Sequence, residues 1–231
     1  QFLPLPMLHW PDSMATYLKE DKILFSNDAF GQHYCTSKRF DDEVDEAVLF
    51  FEAQKYFANI LYPYAKLVEK ALVKLGSLPV EMIAPSHGVI WRSYLDKIVD
   101  KYSSWGKGEK NDTLLIAYDT MWGGTEGLAR AVLKGAARSG VTVKLFRLSS
   151  TDNSHIVAEL LEAGGILFGS PTLNYGMMPP MGGLLTYLKG LKPTGKLAAA
   201  FGTFGWSGGA QKDMEEFITK AGFDLQPGFN C

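Results

Sequence analysis

Cysteine is almost missing from this sequence. Only Cys35 and Cys231 occur among 231 residues, far apart and in no metal-ligand or redox spacing. That excludes a disulfide framework and a cysteine-type zinc site, and it fits a reducing, cytoplasmic compartment. Long apolar runs are missing too: no stretch approaches a membrane span, and the first residues carry no signal-peptide pattern. Charge of one sign is balanced to a formal net −2, so there is no basic footprint for nucleic acid and no acidic disordered tail. Histidine is sparse, at positions 9, 33, 87 and 155. The Walker lysine loop and the dinucleotide G-x-G-x-x-G are both absent.

What is present is an ordinary globular composition, 46% hydrophobic, that changes character near residue 105. "SSWGKGEKND" (103–112) is rich in Ser, Gly and Lys without periodicity, which predicts a linker over 105–112 between a first domain, 1–104, and a second, 113–231. Downstream, short apolar runs alternate with helical spacing. "TLLIAY", "VTVKLFRL", "GILFGSP", "KLAAAFGTF" and "FDLQP" read as strands. The intervening segments read as helices, the first placing Leu128, Val132, Leu133, Ala136 and Ala137 on one face and stopping at Gly140. Five strands with crossover helices predict a doubly wound parallel sheet. Its strand-end loops share one edge, where ligands bind.

Three of those loops are unusual. "DTMWGGT" sits between a strand and a helix N-terminus, whose free N–H groups suit a phosphate. There Thr120 and Thr125 offer hydroxyls, Gly123 and Gly124 let the backbone approach closely, and Met121 and Trp122 complete the turn. "SPTLNYGMMPP" contributes Pro171, Thr172, Asn174, Tyr175 and Gly176, and "GTFGWSGG" contributes Thr203, Phe204, Gly205 and Trp206. This mixture suits a flat, polar-edged ring with a phosphate tail, although Trp122 and Trp206 also fit as surface-packing loop residues. Asp119 would repel a phosphate and is expected to point away.

The first domain offers a different pattern. His9 lies in "LHWPDSM", Asp28 follows the strand-like "KILFSN", and His87 follows "VEMIAP". Between them a helical region over about 42–75, broken at Pro63, places Phe57, Ile60, Leu61, Tyr64, Leu67, Val68, Ala71 and Leu72 on one face. Imidazole and carboxylate at strand exits suit iron or zinc. Taken singly, each of the three is an ordinary turn or capping residue.

The three loops of the second domain resemble those of a flavodoxin, with FMN as the implied ligand. In order, "LHWPDSM", "LFSNDAFGQH", "PSHGVIWR", "YDTMWGGTE", "SPTLNYG" and "FGTFGWSGGA" resemble the flavodiiron proteins, or A-type flavoproteins, over essentially the whole chain. The resemblance implies the C-terminal part of a metallo-β-lactamase-like αββα domain followed by a flavodoxin-like domain. It implies two non-haem iron ions, with His9 on one, His87 on the other and Asp28 bridging, and no ligand role for His33. The implied activity is reduction of dioxygen to water, of nitric oxide to nitrous oxide, or both. The implied partners are a separate donor, such as a rubredoxin or a flavin reductase, and a head-to-tail homodimer or tetramer. The family's H-x-E-x-D-H ligand stretch is absent, and a last flavodoxin helix is expected after the fifth strand. The chain is therefore expected to be an internal piece of a longer protein. Alternatives are an FMN electron-transfer module fused to an inactive metallo-β-lactamase-like remnant, a zinc hydrolase, or a binding module without redox chemistry.

Overall fold

In the computed structural model, which describes residues 1–231, the chain divides into Gln1–Glu109 and Lys110–Cys231. In the first unit β1 (Phe2–Pro4), β2 (Met14–Leu18), β3 (Ile23–Asn27) and β4 (Met82–Pro85) form one sheet in that order. β3 and β4 pair in parallel, so the chain between them must cross over, through α1 (Glu46–Tyr56) and α2 (Ala65–Leu75). The strands alternate. Ala15, Tyr17, Leu24 and Ile83 are buried, while Met14, Leu18 and Phe25 lie exposed on the opposite face.

The helical region predicted over 42–75 is in several pieces. Asp41–Glu43 is a separate 3-10 turn, and Asp45 caps α1 by accepting from the Val48 N–H at 2.9 Å. Pro63 brings no N–H to the Asn59 carbonyl and crowds it. The helix upstream opens into a π-type turn at Phe57–Leu61, then tightens into a 3-10 turn at Tyr62–Tyr64. On the predicted face Phe57, Leu61, Val68 and Ala71 are buried. α2 packs on α3 (Leu95–Lys107), where a Cβ added at Gly106 would stand 3.0 Å from Glu69 Cγ.

α3 corrects the linker expected over 105–112. Ser103–Lys107 is helix, and Trp105 is buried against Phe57 and Tyr102, with ring centroids 5.2 and 5.5 Å away. One buried indole outweighs a local composition that reads as flexible. The helix stops at Gly108 in the left-handed region, φ 69°, which glycine adopts without strain.

The second unit runs β5 (Asn111–Tyr118), α4 (Gly124–Ala137), β6 (Thr142–Arg147), α5 (Asn153–Glu162), β7 (Ala163–Leu173), β8 (Gly176–Met177), α6 (Pro179–Leu191), β9 (Leu197–Thr203), α7 (Ala210–Ala221), β10 (Asp224–Leu225) and β11 (Phe229–Asn230). The order β10-β9-β7-β5-β6 is parallel throughout, as the five-strand reading requires. The fifth lane is split. β10 pairs with β9 at Leu197 and Ala198, and β11 rejoins β9 at Phe201 and Gly202, with Pro227, which has no N–H to donate, between them. Right-handed crossovers place α4 on the face of Ile116, Tyr118 and Phe201, opposite α5, α6 and α7. Beside α4, Val143, Leu145 and Leu167 stay partly exposed.

Lys196 is buried where β9 begins, its Nζ donating to the carbonyls of Leu161 (3.1 Å) and Ala163 (2.7 Å) at the end of α5. Burial pushes its pKa down to about 8, against roughly 10.4 in an unfolded chain. Between those values the unfolded chain binds more protons than the folded one, so this group makes stability rise with pH. Urea unfolding at pH 8 and pH 10 tests this. The wild-type chain is expected to gain stability over a Lys196→Met variant as pH rises, and a difference constant with pH would refute a depressed pKa.

Candidate functional site

β5, β7 and β9 lie side by side and run the same way, so the three loops singled out in the sequence leave one edge together. Hydrogen bonds join them. Asp119 N–H donates to Gly169 O at 3.0 Å, the Thr125 and Thr203 hydroxyls are 2.9 Å apart, and Ala210 N–H donates to Thr172 Oγ1 at 3.3 Å. β5 lies at the reversal point, with β6 on one side and β7 on the other. In a sheet of this order that is where a mononucleotide binds.

The first loop has the features of an anion cradle. Gly123 takes φ 86° as the N-cap of α4 without a side-chain cap, so the helix's first N–H groups face the loop. Thr120 Oγ1 accepts from the Gly123 N–H at 3.0 Å, and Thr120 and Thr125 are buried. Asp119 is turned onto its own loop. Its buried Oδ1 accepts from the Thr120 N–H at 2.9 Å and lies 3.7 Å from Arg147 Nε, which compensates the charge.

The second loop is a two-residue hairpin between β7 and β8, with Asn174 and Tyr175 both at positive φ, 48° and 66°, as its type I′ turn requires. Pro171 is buried and Gly176 half-buried; Asp213 Oδ2 would stand 2.6 Å from a Cβ at Gly176. Above them Trp122, Tyr175 and Trp206 are among the most exposed large side chains, at 95%, 77% and 91%, and Met121 and Phe204 are exposed as well. Aromatic surface left open around an anion cradle fits a planar ring ligand.

In the first unit, His9, Asp28 and His87 come together from three separate segments. His9 Nε2 lies 3.5 Å from Asp28 Oδ2, and His87 Nε2 lies 3.4 Å from Asp28 Oδ1. The two imidazoles thus face different oxygens of one carboxylate. No group of three acidic, histidine or cysteine side chains converges on a single point to hold an ion. The donor set fits two cations sharing Asp28, each needing further donors, rather than one cation held by all three residues.

Tyr56 also belongs to this cluster, and sequence reasoning missed it. Its ring lies 6.0 Å from that of His87 and 4.9 Å from that of the exposed His33, and its buried hydroxyl has no hydrogen-bond partner. Burial, with the Asp28 carboxylate adding to it, pushes the phenol well above its ordinary range. An orphaned buried hydroxyl beside imidazole and carboxylate marks a place for a polar ligand. The only signal in the sequence was a tyrosine among apolar helix residues, which reads as core.

Comparison with known proteins finds a match for each of the two units. The flavodoxin family model covers residues 116–227, and the ODP family beta lactamase model covers residues 1–88. A nitric oxide reductase of Moorella thermoacetica is 47% identical over 98% of this chain and 58% of its own length. The solved rubredoxin oxygen:oxidoreductase of Desulfovibrio gigas superposes with TM-score 0.94 at 39% identity, over all of this chain and 59% of that one. The flavodiiron protein of Giardia intestinalis superposes at 0.96 and 38%, over all of this chain and 58% of that one. The chain belongs to the flavodiiron proteins. It spans somewhat under three-fifths of the length of these relatives, and none of its helices is long and apolar enough to cross a membrane.

Within this flavodiiron fold one glycine controls how the second and third loops meet. A Cβ on Gly209 would stand 1.9 Å from the Tyr175 carbonyl oxygen, a rigid backbone atom. Gly209→Ala is expected to force the loops apart and to destabilise the second unit by about 1–3 kcal/mol, the usual scale of overpacking. Thermal unfolding measures it, and an unchanged midpoint would mean that the loops yield freely.

Proposed function

We propose that this chain carries the flavin module and part of the diiron site of a reductase that reduces dioxygen to water, nitric oxide to nitrous oxide, or both. The observation that carries the proposal is the Asp28 carboxylate with one imidazole at each oxygen and an unpartnered phenol beside it, on the same chain as a phosphate-and-ring cradle. His9 and His87 would each hold one iron, Asp28 would bridge, and the loops containing Thr120–Thr125, Pro171–Gly176 and Thr203–Trp206 would hold FMN. When bound, FMN supplies electrons singly or in pairs and the iron pair supplies reduction of a small diatomic.

The protein's own residues do the rest. Nε2 of His9 and of His87 and the two oxygens of Asp28 would present donors to adjacent positions. The Tyr56 hydroxyl, kept protonated by its burial and by the nearby Asp28 carboxylate, would donate a hydrogen bond to a polar ligand at the site. The α4 N–H groups and the hydroxyls of Thr120 and Thr125 orient a phosphate, and Trp122, Tyr175 and Trp206 flank a ring. A separate donor such as a rubredoxin or a flavin reductase, and a head-to-tail assembly, complete the proposal. A second reading, an FMN electron-transfer module on an inactive remnant, draws on the lack of a three-donor group. Elemental analysis of the full-length protein for iron separates the two.

Asp28→Ala in the full-length protein is expected to lower bound iron and abolish turnover while FMN content stays near wild type, because the two sites lie on separate units. Full iron in that variant would overturn the diiron assignment. Tyr56→Phe is expected to keep iron and slow turnover about tenfold, the scale of losing one hydrogen bond to a bound ligand. Equal turnover would remove Tyr56 from the chemistry. Thr125→Val should weaken FMN by about 1–3 kcal/mol, read as a dissociation constant by flavin fluorescence; an unchanged constant would place the phosphate elsewhere.

A further inference from the structure

Gln32 lies four residues after Asp28 and has no part in the chemistry above, yet its side chain is completely buried. Both polar atoms of its side chain, and its backbone N–H, are used on two backbone segments. Oε1 accepts from the Val89 N–H at 2.8 Å, Nε2 donates to Phe30 O at 2.8 Å and to Val89 O at 3.4 Å, and the backbone N–H donates to His87 O at 3.2 Å. Gln32 therefore grips the chain on both sides of Gly88, immediately after His87. Gly88 is at φ 82°, and a Cβ there would stand 2.0 Å from Gln32 Oε1. The glutamine amide occupies the space a side chain at 88 would need.

Its own segment is held firmly. Gly31 N–H donates to Asp28 O at 3.1 Å, Phe30 N–H to Tyr102 Oη at 2.7 Å, and Trp91 Nε1 to Phe30 O at 2.8 Å. The Asp28 loop is thus one rigid body. The His87 turn is tied to it before His87 by the pairing of β3 with β4 and by Ser86, whose N–H donates to Asn27 O at 2.8 Å, and after His87 by Gln32. The His87 side chain itself is exposed and makes no hydrogen bond shorter than its 3.4 Å approach to Asp28. No hydrogen bond locks the imidazole; the Tyr56 and His33 rings flank it at 6.0 and 5.7 Å, and its backbone fixes where it starts.

We propose that Gln32 is the positioning residue that sets the His87 imidazole against Asp28 Oδ1. This rests on the reading of His87 and Asp28 as ligands of a shared metal pair. The bland alternative is that Gln32 only satisfies buried backbone groups, as Asp41 does. That carboxylate is also fully buried and accepts from the N–H groups of Asp42, Arg92, Ser93 and Tyr94, holding the next turn without touching His87. Asp41 is the matched control.

The test uses the full-length, iron-loaded protein with Gln32→Met, with Gln32→Glu, which keeps the Oε1 acceptor and sets an oxygen against the Phe30 and Val89 carbonyls, and with Asp41→Asn. Both Gln32 variants are expected to retain about one iron per chain where the wild-type protein holds two, with Asp41→Asn keeping both at comparable loss of thermal stability. Two irons in the Gln32 variants, or equal loss of iron in Asp41→Asn, would overturn the proposal. A wild-type protein without iron would sink the functional reading instead, and the metal-free protein then decides on Gln32. With labelled histidines, the His87 ring should give a single dispersed NMR signal in wild type and Asp41→Asn, and one averaged toward free histidine in Gln32→Met. An unshifted signal there would end the proposal.

Discussion

β5 is hydrogen-bonded along its length to β6 on one side and β7 on the other, and all three run in parallel. Consecutive parallel strands need right-handed crossovers, so the chain must leave β5 toward one edge and return across it toward the other. The loops after β5 and β7 diverge at that point and leave an opening at the strand ends. Everything proposed for the second unit depends on it. The α4 N-terminus faces the opening, and the hairpin at Asn174–Tyr175 and the turn at Phe204–Trp206 rise beside it. The Thr125 and Thr203 hydroxyls, 2.9 Å apart, hold the rim together.

The first unit meets a similar requirement by other means. A parallel pair, β3 and β4, sends Asp28 and His87 out at one edge, and His9 arrives from the loop between the antiparallel β1 and β2. Loops that leave a sheet have backbone groups to satisfy. Here those groups are satisfied by side chains within the unit: Gln32 for the turn at Gly88, Tyr102 for Phe30, Asp41 for the turn at 92–94. The polar atom left without a partner is the Tyr56 hydroxyl, at the one place where imidazole and carboxylate also gather. Rigid surroundings and an unsatisfied centre are the usual signs of a preorganised site.

Much of this was legible in the sequence. β5 shows as a short apolar run because its end is buried on both faces, helices such as Ala210–Ala221 have a periodicity dictated by burying one side, and Pro63 broke its helix as its missing N–H requires. The linker misread at Trp105 shows the limit: Ser, Gly and Lys set a local preference, but a buried indole packed on Phe57, forty-eight positions earlier, decided the conformation. Likewise a tyrosine at position 56 in an apolar run reads as core, and its ring is indeed buried. Only its neighbours from other segments give the hydroxyl a role.

The sequence by itself determined the alternation of strand and helix, the change of character between the two units, the three specialised loops, and His9, Asp28 and His87 as candidates at strand exits. These follow from residues close in the chain, where periodicity, turn chemistry and helix capping act. The tertiary structure decided which imidazole faces which oxygen of Asp28, that Thr125 meets Thr203, that Asp119 is compensated by Arg147, and that Gln32 holds the turn after His87. Each of those contacts joins segments brought together by sheet register and helix packing. A register shift of one residue would turn a side chain to the opposite face, and no local pattern specifies that distance.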